Sequence, residues 1–180
     1  AKEVEIDDVK ELLDQMIACN TAIAQEGMHG DYGANIGKVI AIRKDLPSLL
    51  KAYAAAGSDA RMNGCELPVV INSGSGNQGL TVSVPLIVYA EREHLDKEKL
   101  YRALVISNLT AIHLKTEIGR LSAFCGAVSA GAACGAGLAY LKDASEEVMN
   151  HTIVNALAIT SGIICDGAKA SCAAKIAVSV

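Results

Sequence analysis

The stretch that most constrains this chain is Asn72 to Gly79 (NSGSGNQG), a run of glycine, serine, asparagine and glutamine without a charged residue. Mainly apolar segments lie on both sides of it, at Leu67 to Ile71 and at Leu80 to Ala90. Between buried segments, the amides and hydroxyls of such a loop need hydrogen-bond partners. Glycines also let backbone N–H groups come close to a ligand. The pattern favours a pocket for a small polar molecule with a carboxylate, such as an amino acid; a glycine-rich surface turn is the alternative.

Phosphate and nucleic acid are poor candidates for the ligand of this loop. No lysine follows its glycines as in a P-loop, and GSGNQG has only a nominal G-x-G-x-x-G spacing. The net charge of −4 comes without any basic block, which argues against a nucleic-acid partner.

A core with few aromatic side chains favours closely packed helices. Apolar residues make up 51% of the chain but aromatic residues only 3%, so Ala, Val, Ile and Leu must fill the interior. The stretch from Leu121 to Leu141 is uncharged and rich in Gly, Ala and Ser. It is long enough to span a bilayer, but few of its residues are strongly hydrophobic. We therefore favour the central helix of a bundle outside the membrane, with a membrane subunit as the alternative.

The segment from Leu80 to Tyr89 is ambiguous between strand and helix. Its Val and Ile favour a strand, as they do at Leu67 to Ile71, whereas Pro85 argues against a central strand. A helix that begins near Gln78 would direct its first free N–H groups at the polar loop. We favour the helix because the other long segments have helical spacing.

Local signals mark the ends of the predicted helices. The pair Asp7 and Asp8 is expected to cap the first helix, and the last helix is expected to begin at Ala173. Breaks or ends are predicted where glycine, proline or small polar residues interrupt the pattern: Gly27, Asp45 with Pro47, Gly57, Gly119, and Ser161 with Gly162.

The cysteines indicate reduced thiols or a metal site. The charged, acidic first residues (AKEVEIDD) are unlike a secretory signal, so we expect a cytoplasmic protein whose six cysteines do not form disulfides. Cys165 and Cys172 lie seven positions apart in one polar connection, and Cys125 lies in the small-residue stretch. This spacing matches neither zinc fingers nor ferredoxins. From spacing alone, buried cysteines that act as small hydrophobic residues are the stronger interpretation.

Several longer motifs occur together and in order: SDARM, NSGSGNQG with a following VP, RLSAFC, and SGIICDGAKASC. In these motifs the chain resembles the L-cysteine desulfidase family, which is related to the alpha chain of iron–sulfur L-serine dehydratases. The resemblance runs from about Cys19 to the last residues. It implies a 4Fe–4S cluster held by three cysteines, which map onto Cys125, Cys165 and Cys172, with the fourth iron open for substrate.

The resemblance also implies the fold and the extent of the protein. The fold class implied is all-α: a compact bundle of Ala/Gly-rich helices around a buried central helix, with a glycine-rich substrate loop, in a single domain over residues 1–180. Full-length members carry an N-terminal region with a Cys-Thr-Glu-Pro motif, whose cysteine is a candidate general base, and a C-terminal tail. Neither is matched here, so we expect a fragment or a separate subunit that needs the missing region or a partner chain. Self-association into a homo-oligomer is left open.

The implied function is a lyase that eliminates hydrogen sulfide from L-cysteine, or water from L-serine, to give pyruvate and ammonia without pyridoxal phosphate. The open iron would act as a Lewis acid toward the leaving atom. Candidate substrate-binding residues are Ser73, Ser75, Asn77 and Gln78 of the loop, together with Arg61, because arginine suits carboxylates. His29, in a second glycine-rich loop, is the candidate catalytic residue. The alternative is a non-catalytic amino-acid-binding or regulatory domain.

Overall fold

The computed structural model describes residues 3–119 and 122–180, and these ranges are helical with short connections. Within them, no strand is present, and the β-type pairing consists of isolated bridges between Asn72 and Ser75 and between Phe124 and Ile164. The predicted all-α fold is confirmed. In chain order the helices are α1 (Ile6–His29), α2 (Ile36–Ala41), α3 (Leu46–Met62), α4 (Gly76–Arg92), α5 (Lys97–Ile118), α6 (Gly126–Leu141), α7 (Glu146–Thr160) and α8 (Ser171–Ser179).

Helix α4 lies at the centre of the bundle, in contact with α1, α3, α5, α6 and α8. Leu80, Val84 and Leu86 on this helix are at most 1% exposed. A helix that is apolar on all sides is stable only in an interior, and this burial overrides the strand propensity of its Val and Ile residues. The predicted helix is confirmed and begins at Gly76, two residues before Gln78.

The segment from Leu67 to Ile71 has no regular secondary structure, and it pairs with no strand in the described residues. The side chain of the buried Asn20 provides the hydrogen bonds instead. Its Oδ1 accepts from the N–H of Val70 at 2.8 Å, and its Nδ2 donates to the Val70 carbonyl at 3.2 Å. The strand that local propensity predicted here is therefore not formed. The Asn20 side chain makes the hydrogen bonds to Val70 that a neighbouring strand would otherwise make.

Small residues on α6 allow close approach to its neighbours. A Cβ at Gly137 would lie 2.7 Å from Leu86 of α4, and one at Gly131 would overlap the Ser179 carbonyl of α8. The predicted small-residue helix is thus confirmed from Gly126 to Leu141, but residues 122–125 of the predicted stretch precede it and are not helical. Leu121, the first residue of that stretch, lies outside the described residues. Within the described ranges, no helix combines the length and the apolar character needed to cross a membrane.

Two glycines that were expected to end helices lie inside them. Helix α1 continues past Gly27 to His29, and α3 continues past Gly57 to Met62. A Cβ at Gly27 would overlap the backbone of Ala56, and one at Gly57 would come within 3.2 Å of Leu80. Both predictions were wrong because these glycines serve close contact between helices rather than helix termination.

The remaining boundaries follow local chemistry. Asp45 caps α3 by accepting from the Ser48 N–H at 2.9 Å, and Gly119, with φ of 77°, ends α5. The break after Ser161 at Gly162 is also confirmed. The predicted start was wrong for two helices. Glu5 rather than the aspartate pair precedes α1, with Asp7 and Asp8 in its first turn, and α8 begins two residues before Ala173.

Candidate functional site

The candidate site lies where the start of α4 meets the start of α6. Gln78, in the first turn of α4, has its side-chain amide so close to Gly126 that a Cβ there would lie 2.5 Å from the amide carbon. Gly126 directly follows Cys125, the N-cap residue of α6. The absence of a side chain at Gly126 therefore allows the polar loop and a predicted cysteine ligand to be neighbours.

The polar loop is a tight turn fixed by its own backbone. The N–H groups of Asn72 and Ser75 bond to each other's carbonyls at 3.1 and 3.0 Å. Between them, Ser73 and Gly74 have φ of 49° and 81°, the left-handed region that favours glycine at Gly74. The Asn72 amide also donates to Oδ1 of Asn108 on α5 at 2.9 Å. The turn is thereby held in one position at the N-terminus of α4.

The residues predicted to bind substrate have different roles in this geometry. Ser75 is the N-cap of α4, its hydroxyl accepting from the Gln78 N–H, and Ser73 donates to the side chain of Asn72 at 2.8 Å. Arg61, at the end of α3, donates to Oδ1 of Asn77 at 3.3 Å. The structure thus brings all five predicted residues to one end of α4, with Arg61 bonded to Asn77.

Gln78 differs from the other polar residues of the loop, because hydrogen bonds within the protein do not account for its buried side chain. It is 6% exposed, and its Oε1 has no hydrogen-bond donor among the described residues. An acceptor buried without a donor costs free energy, on the order of 1–3 kcal/mol. A ligand that carries an N–H or ammonium group would satisfy it.

The three predicted cysteine ligands come from separate elements that meet at the start of α6. Residues 123–125 run antiparallel to residues 163–165: the Cys125 N–H donates to the Ile163 carbonyl at 2.9 Å, and the Cys165 N–H to the Ala123 carbonyl at 2.7 Å. Cys172 lies in the first turn of α8. All three thiols are free.

The thiols, Lys175 and Asp166 shift one another's pKa values. Burial raises the pKa of the Cys125 thiol, the neighbouring Cys165 and Cys172 add to that rise, and the Lys175 ammonium opposes it. Lys175 pairs with Asp166 and donates to the Ile164 carbonyl at 3.0 Å. Its hydrogen bond lowers the pKa of the Asp166 carboxyl. Asp166 is therefore held by Lys175 beside the cysteines.

The cysteines are neighbours, but they are not arranged as a closed metal site. Over residues 3–119 and 122–180, no three His, Cys, Asp or Glu side chains are close enough together to hold one metal ion. Convergence of the three sulfur atoms to within roughly 7 Å, as a shared cluster requires, stays a prediction.

A cavity of about 310 Å³ reaches Cys125 from the side of α5 and α7. Its walls are mainly apolar and come from four parts of the chain: Leu114, Ile118, Phe124, Val128, Leu157 and Ile163. Cys125 thus lines this apolar cavity, and the next residue, Gly126, contacts the polar Gln78.

His29 lies apart from these residues in the described hydrogen-bond network. It is the exposed last residue of α1, and its Nδ1 bonds to the Gln25 carbonyl of the same helix at 2.8 Å. No described hydrogen bond or ion pair joins it to the loop or to a cysteine. Its catalytic role stays a prediction.

Lys115, on α5, is a buried polar residue that sequence reasoning did not single out. It is 5% exposed. Its position follows from helical spacing, because Lys115 continues the buried stripe of Leu104 and Ala111 by one turn.

Comparisons with known proteins identify the family of the chain. The family model described as serine dehydratase alpha chain matches residues 1–180. A UPF0597 protein of Desulfitobacterium hafniense (strain Y51) is 62% identical over 182 residues, which cover 100% of this chain and 42% of that protein. A UPF0597 protein of Lachnoclostridium phytofermentans is 57% identical, over 100% of this chain and 44% of its own length. One of Fusobacterium nucleatum is 50% identical, over 98% and 43%.

The chain therefore spans less than half the length of these curated relatives. No solved structure matches it. The family match extends over the whole chain, including the polar loop and the three cysteines, and it confirms the relation that the motifs predicted. The chain belongs to the serine dehydratase alpha chain family.

Proposed function

We propose that this chain is part of an iron–sulfur lyase that eliminates hydrogen sulfide from L-cysteine, or water from L-serine, and releases pyruvate and ammonia. The observation that carries the proposal is the contact of Gln78 with Gly126. It joins the polar loop to the cysteine group at the start of α6. The family to which the chain belongs supports lyase chemistry on an amino acid.

The donor set suits the proposed cluster. Three free thiols from three elements meet at one end of the bundle, and three protein ligands would leave one iron position open. Cys125, Cys165 and Cys172 would hold a 4Fe–4S cluster. When bound, such a cluster supplies a Lewis acid for the departing sulfur or oxygen.

The chain's own residues would bind and orient the substrate. The buried Oε1 of Gln78 accepts a hydrogen bond from the substrate ammonium. Arg61 fixes Asn77, and the Ser73 and Ser75 hydroxyls hold the loop through their bonds to Asn72 and to the Gln78 N–H. Rigid donors and acceptors of this kind lower a barrier because they need no reorganisation during the reaction.

The alpha proton needs a base. His29 is the candidate within this chain, but it is exposed and bonded to its own helix. A base from the remaining length of the longer protein is the other candidate, since the relatives are more than twice as long as this chain. We therefore expect the 180-residue chain alone to form no pyruvate.

An anaerobic assay of the full-length protein tests this function. After reconstitution with iron and sulfide, pyruvate is measured with L-cysteine and with L-serine as substrates. We expect Cys125→Ala, Cys165→Ala and Cys172→Ala each to abolish turnover, and Cys19→Ala, in the middle of α1, to retain it. Full activity in any of the first three variants would contradict the assignment. Binding of an amino acid without pyruvate formation would favour the non-catalytic alternative.

A further inference from the structure

Lys175, on α8, joins the two elements that carry Cys165 and Cys172. Its ammonium pairs with the Asp166 carboxylate and donates to the Ile164 carbonyl at 3.0 Å. Ile164 and Asp166 are the residues on either side of Cys165, and Lys175 follows Cys172 by about one helical turn. One side chain therefore connects both neighbours of one predicted ligand to the helix that carries another.

Packing alone does not hold the connection between α7 and α8, residues 161–170, in place. Residues 164–169 are all exposed, and among the described residues nothing lies within 4 Å of a Cβ placed at Gly162 or Gly167. Ser171 donates to Asp166 at 3.3 Å, and the Cys172 thiol approaches the Gly167 carbonyl at 3.7 Å. These bonds are long, whereas the bonds of Lys175 are charge-assisted, a class that is stronger and more directional.

The Lys175 ammonium also lies within electrostatic reach of the thiols. The pKa of Lys175 is raised, mainly by its hydrogen bond to Asp166 and in smaller part by the Cys125 and Cys172 thiols. Cysteine binds metal as the thiolate, and negative charges brought close together repel one another. A cation beside them offsets that repulsion. Lys175 is 20% exposed at its side chain, so solvent screens this charge only in part.

Lys169, in the same connection, has the same charge without the same contacts. It is exposed, and none of the ion pairs described for residues 3–119 and 122–180 includes it. Its backbone carbonyl accepts from the Cys172 N–H at 3.0 Å, and a side-chain substitution leaves that bond intact. A comparison of the two lysines therefore separates the contacts of Lys175 from the general effect of a positive charge.

We propose that Lys175 is a positioning residue of the cysteine site. It holds the connection that carries Cys165 against α8, and its charge stabilises the thiolates when they bind metal. The proposal rests on the proposed function in one respect, that Cys125, Cys165 and Cys172 bind one metal group. It assigns Asp166 to orienting Lys175.

Binding of Cd²⁺ to the metal-free, full-length protein under anaerobic conditions tests this role without turnover. Cd²⁺ is the probe because soft cations prefer thiolate ligands, and its bonds to sulfur absorb in the ultraviolet. A variant with Cys125, Cys165 and Cys172 changed to serine gives the background from other thiols. Lys175→Met should weaken the cysteine-dependent binding by a factor on the order of 10 to 100. Lys169→Met is the matched control and should retain wild-type affinity.

Stability and rescue separate positioning from a structural role. Exposed ion pairs contribute little to global stability, so the metal-free Lys175→Met protein should melt close to the wild-type temperature. Lys175→Arg keeps the charge and the donors and should bind Cd²⁺ more tightly than Lys175→Met. Asp166→Asn keeps the lysine but removes its ion pair, so its affinity should lie between those of the wild type and Lys175→Met. A large fall in the melting temperature of Lys175→Met would show a structural role and overturn the proposal.

Wild-type affinity and thiolate absorbance in a folded Lys175→Met protein would also overturn the proposal, and so would an equal loss of affinity in Lys169→Met. If Lys175→Met does not fold, Asp166→Asn decides, since wild-type affinity in that variant would contradict the role of the ion pair.

The outcome for the proposed function is separate. Wild-type Cd²⁺ binding by the triple-serine variant would show that the three cysteines are not the ligands, and it would overturn both proposals. If binding depends on the cysteines and on Lys175 but no pyruvate forms from L-cysteine or L-serine, the lyase proposal fails and the assignment of Lys175 stands.

Discussion

At the scale of single residues, buried polar groups are the informative ones. Asn20 is fully buried, but its amide has partners at Val70 and Ser83, so it is explained by structure. The Oε1 of Gln78, in contrast, is buried without a donor among the described residues. Sequence reasoning identified Gln78 from its polar loop.

The cysteines also differ from one another in a measurable way. Cys134 lies in the core of α6, where burial raises the pKa of its thiol to about 12. Since the unfolded chain loses this proton near the ordinary value of 9.0, the folded state loses stability as the pH rises from 9 toward 12. The loss should approach about 1.4 kcal/mol per pH unit in that window, and none is expected below it.

Chemical unfolding of the wild type and of Cys134→Ala at pH 8, 9 and 10 tests this effect. The variant loses stability at pH 8 because it creates a small cavity, but its further loss between pH 9 and 10 should be smaller than that of the wild type. Cys19→Ala is the control for removal of a half-buried thiol. Parallel curves for the wild type and Cys134→Ala would contradict the burial argument.

At the scale of helices, glycine has two roles that the sequence did not distinguish: it ends a helix, or it allows two helices to pack closely. Gly119 ends α5, but Gly27 and Gly57 lie inside helices at contacts with neighbours. Helical spacing predicted the other long helices, and α4 was predicted as a helix because those segments were helical, against the strand propensity of its own side chains. The contact of Gln78 with Gly126 could not be predicted, because it depends on which helices pack together rather than on spacing along one helix.

The close packing of α8 against α6 at Gly131 leads to a prediction about stability. A methyl group at Gly131 would overlap the backbone of Ser179, whereas one at Gly135 would meet only the side chain of Thr152, at 2.9 Å. Gly131→Ala should therefore destabilise the protein by about 1–3 kcal/mol through displacement of α8. Gly135→Ala, with its gain in helix propensity, should be neutral or stabilising by up to about 1 kcal/mol. Equal urea midpoints for the two variants would show that α8 does not depend on this contact.

At the scale of the whole molecule, the candidate site lies beside exposed apolar side chains. Phe124 and Ile164, which flank two of the cysteines, are 55% and 64% exposed, and Ile71, just before the polar loop, is 57% exposed. Large contiguous apolar patches on a protein surface often mark interaction sites. The curated relatives are more than twice as long as this chain, so we expect their remaining length to cover this surface.

The family motifs predicted the three cysteine ligands, whereas the spacing of the cysteines did not. Cys125 is forty positions before Cys165, and they become neighbours through backbone pairing that no local pattern encodes. The motifs around them, read together, predicted the family. The motifs did not distinguish L-cysteine from L-serine as the substrate, because the sulfur of one and the oxygen of the other both suit the same Lewis acid.

The central claim is that Cys125, Cys165 and Cys172 hold one iron–sulfur cluster beside the polar loop. The most direct test is the iron and acid-labile sulfide content of the full-length protein after anaerobic reconstitution. It is compared with a variant in which all three cysteines are serine and with one in which Cys19 and Cys65 are serine. The wild type and the second variant should each bind about four iron atoms per chain, with the brown absorbance of a 4Fe–4S cluster, and the first variant should bind none. Wild-type iron content in the first variant would contradict the account.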